Sequence, residues 1–302
     1  MKKLYIRIIA FFALFLGIDI TVGVSGDYFT TIAKGGDTRL HHYVNDEMVC
    51  NALFMGSSRC MHHYIPSVFE DSLGVSCFNC GTDGMGIPFM YARYKLITQR
   101  YKPQFIFYDV YPAYDIVSIP QFPNSRNLRW LKRYYYREGV KEVFDDIEPD
   151  SYKKLWLNMY RYNGTYHETI MDCIKPSRDY SKGFSPLKGE IPNNYILKEN
   201  IQYPVDSLKM KYWKKFFEET KKDGVKVVLL FSPMWGQTDN SIYEPLMTIA
   251  DDFGIPIIDH YADEYYNNHR ELFSEPYHLN GLGAEYYSKI VSAELRPFLK
   301  EI

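Results

Sequence analysis

The sequence predicts an α/β protein: a three-layer α/β/α sandwich with a mainly parallel sheet and a helical insertion. Three observations lead to this prediction. Short apolar runs alternate with segments of helical periodicity from residue 51 onward, as expected when each parallel strand is followed by a covering helix. The 302 residues are 46 % hydrophobic, which is enough for a large core. The segment from about residue 112 to 205 interrupts the alternation and is too long for an ordinary loop.

The first half of the alternation contains three predicted strands and two predicted helices. Pro66 lies within the first helix and must start or kink it, because proline has no N–H group to donate. The third strand is uninterrupted and apolar, which is typical of strands that are covered on both faces. In chain order the segments are NALFM (strand), RCMHHYIPSVFEDSLG (helix), VSCFNC (strand), MGIPFMYARYKLITQRY (helix) and KPQFIFYDVYP (strand).

In the second half, a helix followed by a glycine and a strand occurs two times before the closing helix. Gly224 ends the helix DSLKMKYWKKFFEETKKDG, and the strand VKVVLLFSP follows; EPLMTIADDFG and IPIID repeat the pattern, and the last helix spans about residues 283–298. Strands separated by helices indicate a parallel sheet. The insertion at about 112–205 is predicted to be helical and to lie over the sheet, beside the carboxyl ends of its strands.

The amino terminus indicates where the protein resides. Basic residues precede an uncharged apolar run at 8–18, as in a signal peptide. Residues 4–24 can also form a short membrane-spanning helix with Asp19 near its end. No A-x-A-like cleavage site follows, so we predict an uncleaved signal anchor at 1–25 and an extracytoplasmic domain at 26–302, held at the cell membrane (periplasmic in a Gram-negative cell). The domain would be secreted if the signal were cleaved; the alternative is the apolar first helix of a cytoplasmic protein.

Composition narrows the class of ligand. The net charge of −2 provides no basic surface for nucleic acid. The 28 tyrosines suit surfaces that contact sugars, although they also suit ordinary packing. The five cysteines include one CxxC pair without a second pair, so we expect free thiols and no zinc site. No metal or organic cofactor is implied by the spacing of His, Asp and Glu, and the oligomeric state is not predicted.

The segment NALFMGSSRCMHHYIP, residues 51–66, contains a candidate nucleophile. Its apolar run ends at Gly56, and Ser58 follows at the expected start of a helix. Backbone N–H groups in a first helical turn favour a developing negative charge. Ser58 is therefore a candidate for nucleophilic attack on an acyl group, although a simple strand-to-helix turn also explains this segment when it is considered alone.

A second motif, FSEPYHLNGLGAEYYS at residues 273–288, contains a candidate base. Glu275 precedes His278 by three positions across a proline, so one rigid turn can present both side chains together. A histidine oriented by a carboxylate fits general acid–base chemistry. The alternative is a helix-capping loop with a hydrogen-bonded His278.

Together these motifs resemble the SGNH, or GDSL-like, hydrolase superfamily, in particular its membrane-anchored or secreted bacterial acyl esterases and acyltransferases. GSS at 56–58 stands where the family has Gly-Asp-Ser, EPYH at 275–278 where it has Asp-x-x-His, and NCGTDGMG where it has a glycine loop. HLNGLGAEYYS is similar to the family's usual continuation into the last helix. The resemblance covers residues 50–110 and 205–300.

The resemblance implies a flavodoxin-like sandwich and a role for each matched residue. Ser58 would be the nucleophile, His278 the base and Glu275 the acid that orients it. The backbone N–H groups of Ser58 and Gly84 would form the oxyanion hole.

Two departures from the family pattern bear on the chemistry. The third block, which usually supplies an asparagine to the oxyanion hole, reads YDVYPAYD here. Tyr111 or Asn79 are the alternatives for its replacement, and the sequence does not choose between them. The acid is Glu275 instead of aspartate, so a shifted backbone is needed to reach the imidazole. Arg59 either pairs with an acidic group of the substrate or braces the turn.

These features predict a serine esterase or O-acyltransferase that acts on acyl groups, such as acetyl, of a carbohydrate or cell-envelope glycan. The predicted partners are an acylated carbohydrate or small ester and, through the amino-terminal segment, a membrane. The main alternative is a non-catalytic carbohydrate-binding or assembly protein on a degenerate hydrolase fold, which the missing third-block asparagine favours. A cytoplasmic hydrolase of small esters is a further alternative.

Overall fold

The computed structural model describes residues 1–125, 128–176, 182–196 and 202–299. The chain divides into two compact units. The helical unit comprises residues 1–47 and 128–176, and the sheet unit comprises the remaining described residues. The predicted boundary at residue 25 is therefore not where the compact units divide, and the role of residues 1–25 as an anchor stays a prediction.

The sheet unit contains five parallel strands in the order β2-β1-β3-β4-β5. This 2-1-3-4-5 order is that of flavodoxin-like sheets, in which ligands bind at the carboxyl ends of the strands where the order reverses. A separate antiparallel hairpin, β6-β7, precedes the last helix. The strands are β1 (Ala52–Gly56), β2 (Cys77–Asn79), β3 (Phe105–Asp109), β4 (Lys226–Phe231), β5 (Ile257–Asp259), β6 (Phe273–Glu275) and β7 (His278–Leu279).

The α-helices follow the predicted periodicity closely in the sheet unit. Pro66 is the first residue of a helix, and Gly224 ends the long helix of the second half with a left-handed φ of 71°. The helices are α1 (Lys2–Ile32), α2 (Gly36–His42), α3 (Ser58–His63), α4 (Pro66–Leu73), α5 (Ile87–Thr98), α6 (Pro112–Asp115), α7 (Val140–Ile147), α8 (Tyr152–Leu155), α9 (Asn158–Arg161), α10 (Tyr166–Ile174), α11 (Ser207–Asp223), α12 (Glu244–Phe253), α13 (Glu264–Asn267) and α14 (Gly281–Leu299).

The two faces of the sheet are covered by different helices because successive strand residues point to opposite sides. Phe54 and Phe107 belong to a core that includes residues of α3, α4 and α14. On the opposite side, Tyr108 packs edge-on against Trp213 of α11, with ring centres 4.6 Å apart. The central strands β1 and β3 are buried along their whole length. The predicted three-layer α/β/α fold with a mainly parallel sheet is confirmed.

The helical unit combines α1 with the helices of the middle segment, α7 to α10. Helix α1 contacts α9, α10 and α2. It is longer than the predicted 4–24 span, and Asp19 lies in its interior instead of near its end. Its apolar stretch has a mean hydropathy of 2.2, so its length and composition are compatible with crossing a membrane.

The predicted insertion is shared between the two units. Its central part, residues 128–176, forms α7 to α10 of the helical unit, whereas its two ends belong to the sheet unit. The cysteines are free, as predicted: Cys60, Cys77 and Cys80 are buried, and Cys50 and Cys173 are half-buried.

Candidate active site

The turn after β1 requires glycine and places Ser58 at the start of α3. Gly56 has a φ of +145°, and a Cβ there would lie 2.5 Å from the carbonyl oxygen of Asp109 in the neighbouring strand. A larger residue would separate β1 from β3 at this edge. Ser58 is the first residue of α3 and is 8 % exposed, so its hydroxyl lies at the carboxyl edge of the sheet with a narrow opening to solvent.

The β6-β7 hairpin presents the predicted base and acid side by side. Glu275 and His278 are paired across this hairpin, so the turn between them brings both side chains to one place. His278 Nδ1 donates a hydrogen bond to Glu275 Oε1. That hydrogen bond holds the pKa of the Glu275 carboxyl below its usual range. The longer glutamate side chain therefore reaches the imidazole through the geometry of the hairpin.

The structure brings Ser58 to His278, although 220 positions separate them in the chain. Ser58 Oγ lies 2.7 Å from His278 Nε2, within the usual range of an O–H···N hydrogen bond. Each residue was predicted from its own motif, and the structure places the two in direct contact. With Glu275 on Nδ1, the neutral imidazole has Nε2 free to accept the hydroxyl proton. The three side chains thus have the relative arrangement of a Ser-His-acid triad.

The glycine loop after β2 is linked to this site through His62. His62 Nε2 lies 3.1 Å from Asp83 Oδ1, and the His62 and His278 ring centres are 5.5 Å apart. Gly84 follows Asp83 in a turn with a φ of +72°. Its predicted part in an oxyanion hole stays a proposal.

Asn79 is not available to a substrate. This corrects the alternative in which Asn79 replaces the third-block asparagine in the oxyanion hole. Its side chain is fully buried. Both amide hydrogens are used, because Nδ2 donates to the carbonyl oxygens of Cys60 (2.7 Å) and Tyr64 (2.9 Å). Asn79 Oδ1 accepts from the N–H group of Gly81 at 2.9 Å. Asn79 therefore joins the glycine loop to α3.

Arg59 braces the turn beneath the site and does not face a substrate. This corrects the alternative in which Arg59 pairs with an acidic group of the substrate. It is fully buried, and its Nε and Nη2 donate to Ser232 Oγ at 3.0 and 2.7 Å. Its guanidinium carbon lies 5.2 and 5.7 Å from the ring centres of Tyr111 and Tyr261, within the range of cation–π attraction. Burial raises the pKa of the nearby Asp109 carboxyl, and the charge of Arg59 opposes that rise.

His63 is a positioning residue that the sequence interpretation missed. It is fully buried. Its Nε2 accepts from the N–H group of Leu279 at 3.0 Å, and its Nδ1 lies 3.0 Å from Ser232 Oγ. Because Nε2 accepts, the neutral ring carries its proton on Nδ1. Leu279 follows His278 directly, so His63 joins the nucleophile's helix to the strand of the base. The signal in the sequence that could have indicated this role was the position of His63 in the helix that begins at Ser58, five residues after that serine.

We expect protonation of His63 to weaken the fold in mild acid. Burial lowers the pKa of His63 well below its usual value of 6.5, and the Arg59 charge adds to this effect. The unfolded chain therefore takes up a proton below pH 6.5 that the native protein does not, so this contribution to stability is complete above that pH and decreases below it. In urea unfolding in detergent solution, the free energy of unfolding should fall by about 1 kcal/mol more in the wild type than in His63→Gln between about pH 7.5 and 5.5. Equal pH dependence of the two proteins would contradict this assignment.

A cavity of about 490 Å³ opens beside Ser58 and His278 in the sheet unit. Both ends of the predicted insertion contribute to its lining, at residues 112–122 and 203. No Asp, Glu, Lys or Arg is among the described residues that line it, and its walls are mainly apolar. Five tyrosines take part: Tyr111, Tyr114, Tyr203, Tyr261 and Tyr277.

Within the described ranges, no group of three or more His, Cys, Asp or Glu side chains is arranged to hold a metal ion. His62 and His63 both lie near His278, but their ring nitrogens have other partners. His62 is bound to Ser185 and Asp83, and His63 to Ser232 and Leu279.

No family model and no curated protein matches the chain. Among solved structures, the chain is similar to the lipase/acylhydrolase from Enterococcus faecalis, with 11 % identity over 82 % of this chain and 96 % of that chain and a TM-score of 0.41. It is similar to the acetyl xylan esterase AlAXEase, with 13 % identity, 80 % and 98 % coverage and a TM-score of 0.41. A catalytic mutant of Axe2, an acetylxylan esterase from Geobacillus stearothermophilus, has 12 % identity, 81 % and 92 % coverage and a TM-score of 0.38.

The sheet unit is a three-layer α/β/α sandwich with the strand order of flavodoxin-like sheets. Three features stand where the sequence resemblance places them. They are the 2-1-3-4-5 parallel sheet, the serine shortly after β1 and the acid–histidine pair before the last helix. The fold prediction is thus confirmed in the sheet unit.

Proposed function

We propose that the protein is a serine esterase or O-acyltransferase that acts on acyl groups of a carbohydrate. The observation that carries this proposal is the 2.7 Å contact between Ser58 Oγ and His278 Nε2 at the edge of a tyrosine-lined cavity. A serine hydroxyl becomes nucleophilic when a positioned base can remove its proton.

The proposed reaction has two steps. Ser58 Oγ attacks the ester carbonyl while His278 Nε2 takes the hydroxyl proton, and Glu275 stabilises the imidazolium that forms. The C–O bond of the ester then breaks, His278 returns the proton to the leaving alcohol, and the acyl group stays on Ser58. In the second step, water or the hydroxyl of an acceptor attacks the acyl carbonyl while His278 Nε2 takes its proton. The bond between the acyl carbon and Ser58 Oγ then breaks, and His278 returns the proton to Ser58 Oγ, giving hydrolysis or transfer respectively.

The negative charge on the tetrahedral intermediate needs hydrogen-bond donors. The N–H group of Ser58 is in the first turn of α3, where backbone N–H groups have no intrahelical acceptor. We assign it and the N–H group of Gly84 to this role. Tyr111, which lines the cavity and rests on Arg59, is the remaining candidate for the side-chain donor.

The walls of the cavity support a neutral, ring-containing substrate. Tyrosine rings offer flat apolar faces with a hydroxyl at one end, and five of them surround this cavity. An acylated sugar presents apolar ring faces and hydroxyl groups that such walls can accommodate. The absence of Asp, Glu, Lys and Arg from the described lining argues against a strongly charged acyl group.

Labelling with a fluorophosphonate probe tests the proposed nucleophile directly. We expect covalent labelling of the wild type and none of Ser58→Ala. Ser57→Ala is the matched control, because the adjacent Ser57 is fully buried and should not be the labelled residue. Equal labelling of the wild type and Ser58→Ala would show that another residue reacts and would contradict the assignment of Ser58, whereas no labelling of either would favour the non-catalytic binding protein.

We also propose that α1 is retained as a membrane anchor and that the sheet unit lies outside the cytoplasm. The exposed apolar side chains of its first half and the basic residues before them support this proposal.

A further inference from the structure

Helix α1 consists of a free half and a packed half without a break between them. Every residue of 2–18 is exposed except Phe15, which is half-buried. From Asp19 onward one face is covered, since Asp19, Gly23, Gly26 and Thr30 are buried. The helix therefore passes directly from a free apolar segment into the helical unit.

Asp19 marks the point where the helical unit begins. Its carboxylate accepts from the backbone N–H groups of Asn158 (3.1 Å) and Met159 (2.8 Å) at the start of α9. The Asn158 amide adds a third hydrogen bond of 2.9 Å. A Cβ on Gly23 would lie 2.6 Å from the Asn158 side chain, so α1 and α9 are in close contact here.

Successive contacts of α1 are made with successively later residues of the segment 158–172, so the two segments run in the same direction. Asn158 meets Asp19, Tyr162 donates to Asp27, and the backbone carbonyl of Asp172 accepts from Lys34. Asn158, at the start of α9, therefore makes the contact nearest to the free half of α1.

The free half is too short to cross a bilayer alone. Residues 4–18 span about 22 Å at 1.5 Å per residue, whereas the hydrocarbon core is about 30 Å thick. Ile20 and Val24 continue the apolar surface on the uncovered face, at 59 % and 66 % exposure. A membrane that contains α1 therefore extends past Asp19 and meets the helical unit there.

The surface next to Asp19 carries side chains that suit this position. Trp156 is two residues from Asn158, which limits the distance between their Cα atoms to about 7.6 Å. Trp156 and Tyr152 are 55 % and 57 % exposed. The Trp156 indole N–H donates to the carbonyl oxygen of Lys153 at 2.9 Å. The polar group of the ring is therefore satisfied, and the exposed remainder of the ring is apolar. Tryptophan and tyrosine are enriched where membranes meet water.

We propose that the surface formed by Tyr152 and Trp156 lies in the lipid–water interface of the membrane that α1 spans. The occupant of this surface is the bilayer itself. Because the free half of α1 is shorter than the hydrocarbon core is thick, the membrane surface lies beside the start of the helical unit. The proposal rests on the anchoring of α1 and is independent of the proposed catalytic activity. It makes the α8–α9 corner the membrane-facing side of the helical unit.

Quenching of tryptophan emission tests the contact with lipid. The full-length protein is reconstituted into phosphatidylcholine–phosphatidylglycerol vesicles, with and without phosphatidylcholine brominated near its headgroup. We expect the protein to float with the vesicles and its emission to be lower in brominated lipid. More than half of that loss should disappear in Trp156→Phe.

Trp235→Phe is the matched control, since Trp235 belongs to the sheet unit and its indole N–H group donates to the carbonyl oxygen of Asn267. Its quenching should equal that of the wild type. Protein that does not float with vesicles, no quenching in the wild type, or undiminished quenching in Trp156→Phe would each overturn the proposal. Ester hydrolysis in all three proteins should be the same, because neither tryptophan belongs to the proposed catalytic group.

Discussion

Ser58→Ala and His278→Ala should each lower kcat/KM for an acyl ester by about 10⁴–10⁶-fold, because the triad acts as a unit and either change removes covalent catalysis. Glu275→Gln should fall between these variants and the wild type, with a loss on the order of 10–10³-fold. Its side chain is half-exposed, so water can replace part of its effect on the imidazolium. Hydrolysis of p-nitrophenyl acetate and of an O-acetylated oligosaccharide measures the ranking.

The ranking separates three interpretations. If Glu275→Gln keeps full activity while His278→Ala is inactive, another carboxylate must orient the base. Asp259 does not suit that role, because its Oδ1 accepts from the N–H group of Tyr261 at 2.9 Å and its Oδ2 from Asn240. If all three variants act like the wild type on each ester, the catalytic proposal is wrong and the binding-protein alternative replaces it.

Arg59→Ala should lower the free energy of unfolding by about 2–4 kcal/mol, because it removes buried hydrogen bonds from a charged donor that are worth roughly 1.5–3 kcal/mol each. The change leaves the Asp109 carboxyl without the nearby positive charge and removes two hydrogen bonds to Ser232 Oγ. It also removes the cation beneath Tyr111 and Tyr261, so KM should rise as the cavity wall loosens. Urea unfolding in detergent solution measures the first effect, and ester kinetics measure the second.

Two control variants distinguish charge from packing at Arg59. Arg59→Lys keeps the charge but loses the planar donor pair, so its stability should be intermediate. In the double variant Arg59→Ala/Asp109→Asn, the loss should be smaller than the sum of the single losses, because the unpaired carboxylate is removed as well. Additive losses, or an Arg59→Ala protein as stable as the wild type, would show that the two charges do not depend on each other.

The sequence was sufficient for the sheet and for the position of Ser58 at the start of a helix, because these depend on local patterns. Apolar runs of strand length predicted β1 to β5, and Pro66 and Gly224 set helix boundaries through their backbone chemistry. Gly56 marks the turn before Ser58 through its positive φ, which is a local property of the backbone. The spacing of Glu275 and His278 was likewise enough to predict that they face the same place.

Tertiary structure decided what the buried polar residues do. Arg59 lies in the first turn of α3 and Asn79 at the end of β2, and sequence alone places such residues near substrate as readily as in the core. Their partners, Ser232 and the carbonyl groups of Cys60 and Tyr64, lie on other elements, so only the folded chain shows that their hydrogen bonds are already used.

The same limit explains why His63 was missed and why the amino-terminal boundary differed. The acceptor and donor of His63 come from residues about 170 and 216 positions away, Ser232 and Leu279. Asp19 was expected near the end of a spanning helix at 4–24, because an isolated carboxylate is costly in an apolar span. In the folded protein the start of α9 satisfies that carboxylate, so the helix continues to Ile32. The sequence by itself determined the chain order of strands and turns and the candidate residues Ser58, Glu275 and His278, because these follow from local patterns. The hydrogen bonds that satisfy buried charge come from distant segments, so only the tertiary structure decided them.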